Sequence, residues 1–228
     1  EFMADMESLR VRPPDVLTRV SEYIPEIVAY VDRIVGAGFA YPAAGDVYFD
    51  VASFRGAGYP YGRLRPWSVG TALAADGEAP ATAPGGKRSP ADFALWKAAR
   101  PGEPAWESPW GPGRPGWHIE CSAMATAILG DAIDIHSGGE DLAFPHHENE
   151  IAQADAFGSG GKACCAGRAP QWVNYFLHAG HLSIDGLKMS KSLKNFVTIR
   201  HALAHAPARV LRIVFASTRW DRPMLYSD

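Results

Sequence analysis

Between residues 119 and 179 the sequence alternates between helical and extended patterns, and this alternation constrains the fold more than any other feature. The alternating segments are a helix at 119–130, a strand at 131–139 (DAIDIHSGG), a helix from Pro145 to about Ala156, and a strand at 172–180 (WVNYFLHAG). Strands separated by helices of this length are typical of a parallel α/β sheet, in which functional residues lie at the strand ends. We therefore expect the α/β fold class.

The patterns in the first half of the chain predict secondary structure rather than a functional site. Residues 15–36 predict a helix with one buried face, and FAYPAAGDVYFDV (39–51) predicts a β-hairpin. A Gly/Pro/Ala-rich segment from 56 to 90 predicts a long exposed loop, and DFALWK (92–97) predicts a strand. Three tryptophans set among prolines and glycines are expected to cover a core or cleft: Trp106, Trp110 and Trp117.

Composition indicates a soluble globular protein. The 228 residues are 47% hydrophobic and 21% charged, with a formal net charge of −3. This balance argues against a generally basic nucleic-acid coat, although it leaves a local RNA-binding patch open. No apolar run approaches the roughly 18 residues needed to span a bilayer, so we expect a cytoplasmic protein with no membrane partner. Its three cysteines are too few for a disulfide framework.

A candidate metal site lies in FPHHENE, residues 144–150. On a helix, residues four apart stand one above the other, so His146 and Glu150 present an imidazole and a carboxylate to one point. His147, three residues before Glu150, can do the same. Cys121, near the start of the preceding predicted helix, adds a thiolate, and zinc accepts thiolate, imidazole and carboxylate together.

The simpler interpretation of a single His/Glu pair is a solvated or capping pair. Three mixed ligands with an open fourth position indicate a catalytic or substrate-binding zinc rather than a structural one, which more often uses paired Cys-x-x-Cys units. The order of residues in HHENE also differs from the HExxH of zinc proteases.

A second candidate site is the loop LKMSKSLKNF, residues 187–196. Lys188 and Lys191 are three residues apart and alternate with Ser190 and Ser192. Mobile cations and hydroxyl donors at this spacing suit a polyphosphate. A bare K-x-x-K would be an ordinary basic loop, but the pentapeptide KMSKS behind a predicted strand is far more specific.

KMSKS is the signature loop of class I aminoacyl-tRNA synthetases. Together with RPGWHIECSAM (114–124), DIHSGGEDLAFPHHENEIAQ (134–153) and HLSIDGLKMSKSLKNF (181–196), it makes the chain resemble the cysteinyl-tRNA synthetase family, of the eukaryotic cytosolic type. The resemblance extends over nearly the whole chain and is weakest from 70 to 88. It implies a partial class I Rossmann-type catalytic domain with an inserted α+β connective domain.

The resemblance implies roles for individual residues. The zinc ligands are Cys121, His146 and Glu150, so that His147 is not a ligand, and the zinc binds the thiolate of the substrate cysteine. The residues that the family places around the amino acid are Trp117, His118, His136 and His147. Those that it places around ATP are Gly138, Gly139, Asp141, Met189, Ser190 and Lys191, with Lys188 and Lys191 as the catalytic cations that stabilise the phosphates. The implied cofactors are Zn²⁺ and the substrate ATP with Mg²⁺.

Some family features are expected to be missing. HAGH at 178–181 looks like the HIGH signature but stands just before the lysine loop, so we interpret it as a chance match. We expect residues 1–14 to end the first catalytic half, 15–112 to form the connective insertion, 113–205 the second catalytic half, and 206–228 the start of the helical stem-contact region. The HIGH half, a fourth zinc ligand and the anticodon-binding domain are then absent.

The function implied by the resemblance is that of a cysteine-tRNA ligase acting on L-cysteine, ATP and tRNA(Cys), with this fragment alone nearly inactive. One alternative is the related ligase that joins cysteine to an amino sugar in mycothiol synthesis. Another is a non-catalytic zinc-binding module derived from a synthetase. The connective helix and the KSLKNF wording favour the tRNA ligase over the first, and the complete set of three ligands and two lysines argues against the second.

Overall fold

The computed structural model describes residues 1–69, 86–161, 171–184, 187–189 and 194–226. The helices in these ranges are α1 Phe2–Ser8, α2 Ile24–Gly36, α3 Val51–Gly56, α4 Trp117–Leu129, α5 His146–Ser159, α6 Ile199–His205 and α7 Ala208–Ser217. The strands are β1 Ala40–Ala43, β2 Asp46–Phe49, β3 Phe93–Ala98, β4 Gly113–Pro115, β5 Ile133–Gly139, β6 Val173–Ala179, β7 Leu182–Ile184, β8 Leu187–Lys188 and β9 Met224–Tyr226.

The chain divides into two compact units. The larger contains residues 18–136 and 141–176, and the smaller contains residues 1–17, 137–140 and 177–228. The mixture of helices and sheets confirms the α/β class that the alternating pattern predicts. The three domain boundaries expected from the sequence stay a prediction, because a division by compactness does not identify catalytic halves or insertions.

A four-stranded antiparallel sheet in the order β1-β2-β3-β4 forms one side of the larger unit. β1 and β2 form the predicted hairpin, and its two-residue loop, Ala44-Gly45, has positive φ at both positions. Such loops match the twist of the paired strands, and glycine adopts the second position without strain. The predicted strand DFALWK is β3, which is almost completely buried.

The core of the larger unit is formed by this sheet and by residues of four helices, α2, α3, α4 and α5. Apolar side chains on one face of α2, such as Ile27, Val31 and Ile34, are fully buried against it. Ile119 of α4 and Ala152 and Ala156 of α5 belong to the same cluster. α4 and α5 are therefore held by a common core, which fixes the helix faces that carry the candidate metal ligands.

α2 begins later than predicted. The sequence predicts a helix from residue 15, whereas the structure has a short 3-10 turn at Val20–Glu22 and then α2 from Ile24. Val16 and Leu17 are more than half exposed, so no core favours helix in that segment. Pro25 lies in the first turn of α2, where its missing N–H has little cost.

The alternating half of the chain is confirmed in its element types. The two predicted helices are α4 and α5, and the two predicted strands are β5 and β6, which pair in a two-stranded sheet. Trp106 and Trp110 pack against the main core as predicted, with the rings of Trp110 and Trp96 6.2 Å apart.

The smaller unit contains a three-stranded sheet in the order β8-β7-β9, with β7 and β9 parallel. The first two residues of HAGH end β6 and the last two connect it to β7, and a side chain on Gly180 would collide with the backbone carbonyl of Arg222. The glycine of HAGH thus has a packing role. In the part of the chain that the structure describes, no helix is both long and apolar enough to cross a bilayer.

Candidate functional site

α4 and α5 bring the three predicted metal ligands together. Cys121 lies on α4, and His146 and Glu150 lie one turn apart at the start of α5. One ligand atom from each, the Cys121 Sγ, a His146 ring nitrogen and a Glu150 oxygen, lie within 4.8 Å of one another. His146 and Glu150 are buried and Cys121 is partly buried. The helical spacing of four therefore produces the convergence that it predicts.

Glu150 is held between two imidazoles. Its Oε2 lies 2.6 Å from His136 Nε2, and its Oε1 lies 2.8 Å from His146 Nε2. Burial alone would raise the pKa of Glu150, but the adjacent His136 and His146 imidazoles outweigh burial and lower the pKa to about 2. The carboxylate is therefore ionised at neutral pH, as a metal ligand must be.

Glu150 Oε1 and His146 Nε2 are placed relative to each other as two ligands of one metal ion would be. Oε1 is fully buried, and although it lies at ion-pair distance from His146 Nε2, no described residue donates a hydrogen bond to it in good geometry. Two lone-pair atoms close together without an aligned proton leave a place for a cation. The residues present therefore fit a zinc ion, with His146 binding through Nε2.

The other ring nitrogen of His146 is occupied by His118. Their Nδ1 atoms lie 2.8 Å apart, and His118 is completely buried in α4. A metal-binding histidine is normally oriented by a partner on its second nitrogen, which also fixes the tautomer that leaves the first nitrogen free for the metal. His118 supplies this contact.

Cys121 is a protonated thiol without a metal. Burial, followed by repulsion from Glu150 and Glu120, raises the pKa of Cys121 to about 12. The thiolate is the form that binds metal, so a metal ion must displace this proton.

The predicted amino-acid-binding residues surround the same point. Trp117 is 41% exposed, and its ring stacks on the His146 ring at 4.4 Å and on the His118 ring at 5.3 Å. His136 and His147 stack at 4.2 Å on the other side of Glu150. The structure thus brings Trp117, His118, His136 and His147 together with the candidate ligands, while their roles in substrate binding stay predictions.

The predicted ATP-binding residues are described in part. Gly138 and Gly139 end β5, and Asp141 lies in the 3-10 turn Glu140–Ala143 that follows. Lys188 is in β8, whose backbone pairs with β7, and the Met189 N–H donates to the Leu182 carbonyl. Ser190 and Lys191 lie outside the described residues.

The sequence did not predict the role of two other residues of FPHHENE, Glu148 and Asn149, which hold a distant segment of the chain on α5. Glu148 is fully buried and accepts hydrogen bonds from the backbone N–H groups of Gly62 and Leu64, at 2.7 and 2.9 Å. The Tyr61 hydroxyl donates to Asn149 Oδ1 at 2.6 Å, and Arg63 forms an ion pair with Asp155. Segment 61–64 is thereby fixed on α5 beside the ligands. The sequence signal for Glu148 is its position between His147 and Glu150, two candidate site residues.

Comparison with known proteins assigns the chain to a family. Residues 1–228 match the family described as tRNA synthetases class I (C) catalytic domain. Proteins named cytoplasmic cysteine-tRNA ligase are 57% identical over 99% of the chain in Dictyostelium discoideum and 54% identical over 100% in Homo sapiens. The chain spans about a third of each, 33% and 30%.

Two solved structures share the fold. The methionyl-tRNA synthetase of Mycobacterium tuberculosis, in complex with methionyl-adenylate, superposes with a TM-score of 0.66 at 13% identity, covering 100% of this chain and 52% of that one. A putative arginyl-tRNA synthetase from Campylobacter jejuni has a TM-score of 0.54 at 12% identity, covering 98% and 37%. Because the family match extends over residues 1–228, the chain belongs to the family of class I (C) tRNA synthetase catalytic domains.

Proposed function

We propose that this chain is part of a cysteine-tRNA ligase, which activates L-cysteine with ATP and transfers it to tRNA(Cys). The observation that carries the proposal is the convergence of Cys121, His146 and Glu150, a ligand set suited to recognising a thiol. The relatives that match the chain from end to end support it, since they are named as cysteine-tRNA ligases of the cytoplasm. A cytoplasmic location is proposed on the same ground.

The three ligands suit selection of cysteine. A zinc ion held by Cys121, His146 and Glu150 would supply a Lewis acid that binds the thiolate of substrate cysteine far better than the hydroxyl of serine. The protein's contribution is to hold the ligands apart from water. Glu150 is completely buried, and the stacked Trp117 ring covers His146. Because only cysteine offers zinc a thiolate, the enzyme could reject serine at this site without a separate editing step.

The aromatic rings around Glu150 would form the floor of the amino-acid site. Trp117 presents its exposed face beside His146, so it is placed to contact the backbone or side chain of a bound amino acid. His118 would position His146, and His136 would position Glu150, through the ring-nitrogen contacts of 2.8 and 2.6 Å. His147, stacked on His136, would complete the floor.

ATP binding is proposed for the glycines at the end of β5 and for the lysine loop. Gly138 and Gly139 allow a close backbone approach to the ribose, and Asp141 offers a carboxylate to its hydroxyls. Lys188 and Lys191, with Met189 and Ser190 beside them, would neutralise charge as pyrophosphate leaves, together with Mg²⁺. Their cations act by electrostatic stabilisation, since adenylation needs no proton transfer from them.

The domain assignment remains part of the proposal. Residues 1–14 would end a first catalytic half, 15–112 form the connective insertion, 113–205 the second catalytic half and 206–228 the start of the stem-contact region. The four-stranded antiparallel sheet, most of which lies within 15–112, is consistent with an α+β insertion.

The test is amino-acid-dependent ATP–pyrophosphate exchange by the full-length protein that contains this chain. Cysteine is expected to drive exchange and serine is not, and Cys121→Ser is expected to lower the rate with cysteine by about 100-fold or more. The control is Cys164→Ser with Cys165→Ser, which should keep the rate. Exchange driven by another amino acid refutes the proposal. Cysteine activation without transfer to tRNA supports the mycothiol-type alternative.

A further inference from the structure

We propose that a cavity between α2, α4 and α5 binds a small zwitterion, such as a free amino acid, through its carboxylate and ammonium groups. The cavity has a volume of about 260 Å³, and all the residues that line it belong to the larger unit. Such a volume has room for a small molecule, since one water occupies about 30 Å³. None of the candidate metal ligands or amino-acid-binding residues lines it. The cavity is therefore a separate site, and the proposal does not depend on the tRNA-ligase activity.

Trp172 supplies a fixed hydrogen-bond donor in this cavity. Its side chain is buried, and no described residue accepts a hydrogen bond from its indole N–H. The ring is held in place, because the Trp172 carbonyl accepts from the Ile133 N–H at 2.8 Å and the ring packs on that of His136 at 6.0 Å. A buried N–H without an acceptor is costly, so a ligand that accepts from it removes this cost.

Tyr30 supplies a second donor. It is buried in the cavity wall, and its ring stacks on Phe157 at 3.9 Å. The same Phe157 ring holds the Arg33 guanidinium at 4.0 Å. Burial raises the pKa of the Tyr30 hydroxyl, against the effect of the neighbouring Thr126 and Arg33, so the hydroxyl keeps its proton at neutral pH. Two buried donors favour a ligand with an acceptor group, such as a carboxylate.

Two opposite charges lie at the exposed part of the lining. They are the guanidinium of Arg33 and the carboxylate of Asp131. Arg33 lowers the pKa of Tyr30 and Asp131 raises it, so both charges act on the same hydroxyl. The buried Asp155 is compensated by its ion pair with Arg63. The cavity is therefore complementary to a zwitterion, whose carboxylate faces Arg33 and whose ammonium group faces Asp131.

The test is titration of the full chain with glycine, the smallest amino acid, followed by NMR of the ¹⁵N-labelled indole groups. Trp172→Phe identifies the Trp172 signal among those of the seven tryptophans. We expect glycine to shift this signal saturably, because the indole N–H gains an acceptor. Acetate and methylammonium each carry one of the two charged groups and should bind about tenfold more weakly or worse. The Trp117 signal reports separately on the candidate amino-acid site.

Variants of the two charges test the assigned contacts. Arg33→Met and Asp131→Asn are each expected to weaken glycine binding about tenfold, because each removes one charge-assisted hydrogen bond. Arg100→Met and Asp134→Asn are the matched controls, since both residues are exposed and neither lines the cavity. They should retain the affinity of the unmodified chain.

Gly158→Leu tests the cavity itself. Gly158 lines the cavity, and a Cβ there meets nothing within 4 Å, so the leucine side chain has room to occupy the space of the ligand. Glycine binding should be lost, while unchanged signals from the distant tryptophans show that the variant is folded. A Trp172 signal without a saturable shift overturns the proposal, as does undiminished binding in Gly158→Leu or in either charge variant. Acetate binding as tight as that of glycine would replace the zwitterion site with a simple anion site.

Discussion

Glu148 Oε1 accepts a hydrogen bond of 2.7 Å from the backbone N–H of Gly62, which lies 86 residues earlier in the chain. The second oxygen of the same carboxylate accepts from the Leu64 N–H at 2.9 Å. Glu148 thus fixes a glycine- and proline-rich segment on the helix that carries His146 and Glu150. Burial of this carboxyl group is tolerated because both of its oxygens accept hydrogen bonds.

Glu148→Ala is expected to lower the free energy of unfolding by about 2–5 kcal/mol, because it leaves two backbone N–H groups without acceptors. Glu148→Gln keeps the shape and one acceptor oxygen, so the loss should be smaller, about 1–3 kcal/mol. Urea unfolding measures both. Glu107→Ala, at an exposed glutamate, is the matched control and should change little. Equal effects for Glu148→Ala and Glu107→Ala would contradict the assigned role.

His118→Phe is expected to weaken zinc binding by about 10–100-fold, because the Nδ1 contact of 2.8 Å that orients His146 is lost. His118→Asn, which retains a polar atom near the position of Nδ1, should recover part of the affinity. Competition with a chelator of known affinity measures both variants, and thermal unfolding shows whether they are folded. Wild-type affinity in a folded His118→Phe would remove the positioning role.

The raised pKa of the Tyr41 hydroxyl predicts that the protein loses stability in alkaline solution. Burial raises the pKa of Tyr41 from 10.0 to about 12, opposed by the N–H of Arg88 and assisted by Asp92, whose Oδ2 accepts the Tyr41 hydroxyl at 2.7 Å. Between pH 10 and 12 the unfolded tyrosine is ionised while the folded one keeps its proton. The unfolded state then binds fewer protons, so stability falls as the pH rises.

Tyr41→Phe should be less stable at neutral pH but should lose less of its stability between pH 10 and 12. Urea unfolding at successive pH values measures this slope. Tyr175→Phe, at a tyrosine that is 73% exposed, is the control and should retain the wild-type slope. An identical slope in Tyr41→Phe and wild type would show that Tyr41 does not carry the effect.

Gly113→Ala and Gly158→Ala should have opposite effects. A Cβ at Gly113 would collide with the Lys97 carbonyl and the Trp96 ring, whereas one at Gly158, on α5, meets nothing within 4 Å. We expect Gly113→Ala to destabilise by about 1–3 kcal/mol. We expect Gly158→Ala to stabilise by about 0.5–1 kcal/mol, since alanine favours helix. Thermal unfolding compares the two, and a stable Gly113→Ala would show that β3 and β4 can separate.

Local features of the fold and of the site could be predicted from the sequence, whereas contacts between distant residues could not. The alternation after residue 117 predicts α4, β5, α5 and β6 because helical and extended periodicities are local properties of the sequence. Convergence of His146 and Glu150 is also local, since four residues make one helical turn. The partners of Glu148 and Asn149 were not predictable, because they lie 84 to 88 residues away in a segment without periodicity.

The metal affinity of the Cys121 site should increase with pH. Burial raises the pKa of Cys121 to about 12, so each metal ion that binds near neutral pH must displace one proton from the thiol. Glu150, whose pKa is lowered to about 2 by its two histidine neighbours against the effect of burial, is already ionised and adds nothing to this slope. Above about pH 7, where a free imidazole is neutral, apparent affinity should rise about tenfold per pH unit. Chelator competition at successive pH values measures the slope. Cys121→Ser should abolish it while Cys164→Ser retains it, and a flat profile in the unmodified chain would show that the thiolate is not a ligand.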